Sequence, residues 1–278
     1  MPIDLASYIK LRLENDHCDG LYIVSMDHSP SEQLEETSSW HTTVLVISSA
    51  FQHADLSHRL AEVINPRTGK LKKWNSASQA YKRYFVENFN LVFENAPVYI
   101  FAISATREAI IQSQDHFIQE LKLKNHYHVF DFNGKRRVKL DPVIRASSGA
   151  EESVELSENR AAMGLFLVHF IRRVHGVMFE AVNFTKKLEQ IHWHFFADRL
   201  PGNTDENYDL MFQYLLGRRD QIGELRWGYF KEGDTEPSDL LADNLAGLLS
   251  SFVRNSSDFG SSVILPLSGL MYWEQWRT

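Results

Sequence analysis

Apolar residues along this chain recur with two periods, and the order in which the periods alternate is informative before any single residue is considered. Leu21 to Met26 is a short apolar run ending at Asp27, and the Ser-Pro-Ser-Glu that follows reads as a turn. Thr42 to Ser48 is a continuous β-branched run, the pattern of a strand covered on both faces, and is expected to pair with the first. Residues 51–64 and 76–94 space their apolar side chains three and four apart, the second from the cap residues Asn75 and Ser76, so both are predicted helical. Val98 to Ser104 predicts a strand, Thr106 to Leu123 a helix rich in Glu, Gln and Lys, and His126 to Phe132 a further strand. Ser147 to Glu158 is polar and predicts a loop, the best candidate for a mobile segment.

The second half repeats the alternation. Arg160 to Phe179 is the most apolar helical stretch and belongs at the centre of the fold. Ile191 to Phe196 predicts a strand, closed by Asp198 before the breaker Leu-Pro-Gly. Asn207 to Gly217 reads as helix, Glu224 to Tyr229 as an edge strand, and Ser238 to Val253 as an amphipathic helix opened by Pro237 and Ser238. The predicted fold class is α/β, a mixed central β-sheet flanked by helices in one domain, with helical insertions.

Composition narrows the function classes. Hydrophobic residues make up 44% of the 278, enough for a sizeable core. The opening Met-Pro-Ile-Asp-Leu-Ala has neither the basic nor the apolar region of a signal peptide, so a cytoplasmic location is expected. Met163 to Ile171 falls short of the roughly twenty residues a membrane span needs, so no membrane association is expected. The only cysteine, Cys18, excludes an intramolecular disulfide and a thiolate-rich zinc site. A formal charge of −7 gives no global attraction to phosphate, so a nucleic-acid reader would rely on local clusters. Those clusters are Arg67, Lys70, Lys72 and Lys73 before Trp74, then Lys135, Arg136, Arg137 and Lys139, then Arg218 and Arg219. Walker, Gly-x-Gly-x-x-Gly and Gly-x-Ser-x-Gly patterns do not occur, and the closely spaced pairs His192 and His194, or His126 and His128, have no third ligand motif beside them.

The pattern that carries chemistry is a set of aspartates. Asp27 and Asp198 close predicted strands, and Asp239 and Asp243 lie one turn apart on the late helix. Hard divalent ions such as Mg²⁺ or Mn²⁺ take oxygen ligands from a few carboxylates, and aspartates converging at sheet ends supply them. Each acid also has a plain structural reading: an Asx turn at Asp27, the Pro-Gly turn at Asp198, helix capping at Asp239. Asp243 is harder to explain this way, because it lies inside the helix between Ala242 and the apolar Leu245.

Residues 237–249, Pro-Ser-Asp-Leu-Leu-Ala-Asp-Asn-Leu-Ala-Gly-Leu-Leu, resemble the C-terminal signature of the family labelled domain of unknown function 3800, an Ala-Asp-x-x-Ala-Gly/Tyr helix. Lys73-Trp74-Asn75-Ser76 is similar to the stretch that opens the family's first helical region. The family begins with a strand ending in Asp-Glu-Ser, which Asp27-His28-Ser29 matches except at His28. The resemblance implies an RNase H-like fold in which Asp27, Asp198 and Asp243 are the catalytic acids and metal ligands; the helical spacing adds Asp239 as a fourth metal-ligand candidate. The resemblance also implies a nuclease of a mobile-element or phage-defence system. In that reading Lys73, Arg136, Arg137 and Lys139 contact nucleic acid. The alternative is a catalytically inactive scaffold that docks a protein partner, or itself, through the aromatic Met271-Tyr272-Trp273-Glu274-Gln275-Trp276; those rings completing the core is the competing structural reading.

Overall fold

The computed structural model of the protein describes residues 4–14, 16–17, 19–29, 40–50, 52–53, 55–56, 59, 62, 65, 71–93, 96–144, 149–188, 190–197, 210–211, 214–216, 223–229, 237–254 and 270–276. Helix α1 (Leu5–Leu13) precedes the hairpin of β1 (Leu21–Ser29) and β2 (Trp40–Ser49). A 3-10 turn (Trp74–Ser76), helix α2 (Gln79–Phe93) and strand β3 (Val98–Thr106) follow, then two short helices, α3 (Arg107–Gln112) and α4 (Gln114–Glu120). Strands β4 (Tyr127–Phe132), β5 (Lys135–Ile144) and β6 (Glu151–Ser157) lead into the long helix α5 (Glu158–Lys186). The chain closes with β7 (Ile191–Ala197), β8 (Gly223–Tyr229), α6 (Pro237–Arg254) and β9 (Tyr272–Trp276).

The large sheet has the order β8-β7-β1-β2-β3-β9, and β4-β5-β6 form a second, antiparallel sheet. Within the large sheet β2 is antiparallel to β1 and β3, while β7 lies parallel to β1, β8 to β7 and β9 to β3. This is the mixed sheet with flanking helices that the alternation of periods predicts. Strand β2 is buried at every position, as its uninterrupted β-branched run requires. The two-residue period of the central strands then sorts side chains between two cores. Tyr22, Val24, Met26, Leu45, Ile47, Tyr99 and Phe101 join the core built with α1 and α5. Val44, Val46, Val98, Ile100 and Ala102 join the core built with α2 and α6.

Helix α5 runs 29 residues, capped by the Ser157 hydroxyl on Arg160 N–H and ended by Lys187 in the left-handed region. It is long and apolar enough to pass for a membrane span by length and composition, yet 72% of its most apolar window is buried inside the protein. It is the central helix the sequence predicts.

The structure adds to the predicted elements at α1, at the break between α3 and α4, at strands β5 and β6, and in giving the aromatic end the form of a strand. Helix α1, opened by Asp4 on Ser7 N–H, lies in a stretch with no predicted element. The helix expected over 106–123 is two short helices, 107–112 and 114–120, parted at Ser113, whose N–H donates to Ala109 O and closes the end of the first. Residues 147–158 were expected to be loop, but 151–157 form strand β6, in which buried Val154 and Leu156 alternate with exposed Glu155 and Ser157. The aromatic end forms β9, with Trp273 packed against the α6 core and Tyr272 and Trp276 against the α5 core.

Candidate metal centre

Strand β1 places Asp27 directly opposite Val44 of β2. Residues opposite one another share a face, and Val44 belongs to the core beneath α6, so Asp27 is presented, half-buried, on the face that α6 covers. His28 then points to the other face, beside Met26's core. Its place in the Asp-His-Ser stretch therefore leaves the Asp27 face unchanged: alternation alone sends position 28 away from it.

Helix α6 brings Asp243 to the same side of the sheet, and the local structure accounts for its interior position. Asp243 Oδ2 accepts a hydrogen bond from Trp74 N–H at 2.6 Å. Its neighbour Asn244, fully buried, donates to Lys72 O at 2.8 Å and to Leu240 O at 2.6 Å. One turn later, a Cβ on Gly247 would stand 2.1 Å from Trp74 Cδ1, so only glycine lets the indole lie against the helix backbone. Phe85 meets the indole edge-on and Lys82 Nζ lies 4.8 Å above the ring. The Lys-Trp-Asn-Ser stretch and the Ala-Asp-Asn-Leu-Ala-Gly stretch are thus two halves of one contact. Lys73, exposed, stands next to the amide that Asp243 binds.

Asp198 lies outside the described residues; Ala197, which precedes it, is opposite Met26, which precedes Asp27. Asp239 is within α6, its side chain outside the described set. Among the described residues no group of three or more His, Cys, Asp or Glu side chains is close enough to hold a metal ion. The donor chemistry of Asp27 and Asp243 suits a hard cation. The hydrogen bond on Asp243 is compatible with that role, since metal-ligating carboxylates are commonly oriented by such bonds.

The basic cluster of β5 divides between two faces. Arg137 and Lys139 point outward, while Arg136 falls on the inward register and pairs with Glu158 at 3.2 Å. Lys139 pairs with Asp141 at 3.2 Å. These residues belong to the smaller sheet, away from Lys73.

A histidine pair escaped the sequence reading. His28 Nδ1 is 2.7 Å from Thr43 Oγ1, and His41 Nδ1 is 3.4 Å from His28 Nε2, with the rings stacked 5.6 Å apart. Burial, then the neighbouring His41 and Arg254, push His28 down to about 3; burial, then Arg254 and Arg107, push His41 down to about 4. Both rings are neutral near pH 7. The signal in the sequence was one histidine at the end of the first strand and one at the start of its antiparallel partner.

No protein-family model matches the chain, and no curated protein matches it.

Proposed function

We propose that the protein is a metal-dependent nuclease on an RNase H-type scaffold, hydrolysing phosphodiester bonds with Mg²⁺ or Mn²⁺ held by Asp27, Asp243 and Asp198, with Asp239 as a further acid. The observation that carries the reading is the presentation of Asp27, near the end of the first strand, on the face covered by the helix that bears Asp243. The strand order supports the scaffold: three antiparallel strands, with two more laid parallel on the first, is the arrangement of an RNase H-type sheet. In open α/β sheets ligands gather at the carboxyl ends of the strands, and Asp27 lies two residues before that end of β1.

Bound cations of this class supply Lewis acidity to the scissile phosphate and the attacking water. The chain's own part is positional. Asp27 and Asp243 hold the ions, Trp74 N–H fixes the Asp243 carboxylate, and Lys73 meets a phosphate oxygen of the strand.

A second reading is a non-catalytic scaffold, and the Trp74 hydrogen bond favours it, because that bond gives Asp243 a purpose without a metal. Docking through a loose aromatic tail has less support, since β9 is hydrogen-bonded into the sheet. Calorimetric titration of Mn²⁺ into the wild type, Asp27→Asn and Asp243→Asn, followed by cleavage assays, separates the two readings. Asparagine keeps an acceptor for Trp74 N–H, so Asp243→Asn is expected to stay folded. Saturable binding and cleavage lost in both variants is the expected result; a folded wild type that binds no Mn²⁺, with or without nucleic acid, overturns the nuclease.

A further inference from the structure

The β4-β5-β6 sheet turns one face to the α5 core and the other outward. Val138, Leu140, Val154 and Leu156 are buried on the inner face. The register fixes what alternates with them. His128 stands opposite Lys139, Phe130 opposite Arg137, and Phe132 opposite Lys135. Three consecutive outward pairs therefore each set an aromatic ring on β4 against a cation on β5. Phe132 is 56% exposed, an unusual state for phenylalanine. Of the acids on this face, Asp141 pairs with Lys139 at 3.2 Å, Glu155 stands opposite it, and Glu151 lies farther along opposite Ile144. The Phe130 and Phe132 end is opposed by Arg137 and Lys135, and runs to the turn at Asn133 and Gly134, both with positive φ.

We propose that this outward face binds single-stranded nucleic acid, with bases stacked on Phe130 and Phe132 and phosphates met by Arg137 and Lys135. The exposed Phe132 ring and the half-buried Phe130 ring offer stacking surfaces for base faces, which a duplex hides within its own stack, whereas single strands present them. Successive outward rings stand about 7 Å apart along a strand, roughly twice the rise of stacked bases, so neighbouring bases separate to meet them. Charge complementarity selects the occupant: a chain of net charge −7 sets cations opposite Phe130 and Phe132, which suits a polyanion better than another acidic surface. The proposal deepens the nuclease reading and rests on it for the role of the bound strand as substrate.

The test is fluorescence anisotropy of labelled oligothymidine, oligouridine and a duplex with the full chain in EDTA, so that binding is read without metal or cleavage. We expect saturable binding of the single strands, at least about tenfold weaker duplex binding, and at least about tenfold loss in the Phe130→Ala/Phe132→Ala double variant. Lys135→Glu/Arg137→Glu gives the same loss and a shallower salt dependence, and serves where the alanine pair fails to fold. Equal binding by wild type and both variants overturns the proposal. So does self-association abolished by the same substitutions with no oligonucleotide bound, which would give the face to a second copy. Cleavage without this binding leaves the nuclease standing and removes the platform; binding without cleavage does the reverse.

Discussion

Arg12 donates from a buried guanidinium to Phe93 O at 2.8 Å, Ala96 O at 2.6 Å and Val98 O at 3.0 Å, closing the end of α2 and the turn into β3. Removing it takes a charged donor from all three, although Phe93 O and Ala96 O keep the amides of Ala96 and Val98 at 3.4 Å and 2.8 Å, and lost hydrogen bonds to a buried charged group cost on the order of 1 to 3 kcal/mol. Arg12→Met, which keeps the apolar stem, is expected to destabilise by about 3 kcal/mol in urea unfolding; a loss under about 1 kcal/mol would show that water replaces the guanidinium. Gly247→Ala acts through sterics, because its methyl would overlap the Trp74 ring. A cost of about 2 kcal/mol with a shifted tryptophan emission is expected, and an unchanged midpoint would refute the close approach. At this scale the sequence marked Asp243 as an acid that helix capping does not explain, without revealing its partner. Its partner is a backbone amide 169 positions away, and no local pattern encodes that contact.

At the scale of elements, legibility followed how well local period and composition agreed. Strands β1, β2, β3 and β7 were legible because their apolar runs are β-branched or aromatic and bounded by turn residues. Strand β6 was not, since Glu and Ser fill its exposed positions and mask the alternation of Val154 and Leu156. Strand β5 read as a basic cluster for the same reason, its Val138 and Leu140 hidden among Lys and Arg. A strand with one solvated face looks like loop when its polar half is counted by composition and not by position. Strand β9 is tied to α5 by Arg173, which donates to Glu274 at 2.8 Å, and Trp276 Nε1 steadies the same carboxylate from within the strand at 2.7 Å. The end of α5 offers a stabilising change. Lys187 occupies φ 57° and ψ 32°, where a side chain is strained and glycine is not. Lys187→Gly is expected to raise stability by about 1 kcal/mol in urea unfolding, and a decrease would mean the lysine side chain makes contacts worth more than the strain.

Over the whole molecule, the division of one sheet between two cores places Asp27 and His28 on opposite faces, and gives them unrelated chemistry. Asp27 goes to the α6 side, with Asp243. His28 goes to the α5 side, where it meets His41 and Thr43. His175, buried among α5 and β7 with Trp193 at 4.8 Å, is likewise pushed down, to about 4, chiefly by burial. All three rings titrate near their ordinary value of 6.5 once the chain unfolds, against about 3 to about 4 in the fold. Between those limits the unfolded chain binds more protons than the folded one, so stability rises with pH across that window. The contribution is complete above about pH 6.5 and is lost as pH falls toward 4, at up to about 1.4 kcal/mol per histidine per pH unit. Urea unfolding at several pH values between 7 and 4 should therefore show a steep acid loss, flattened in His28→Gln/His41→Gln because glutamine takes up no proton. A double variant that loses stability with the parent's slope would mean that His28 and His41 do not stay neutral in the fold, and would move the acid sensitivity to His175 and the carboxylates.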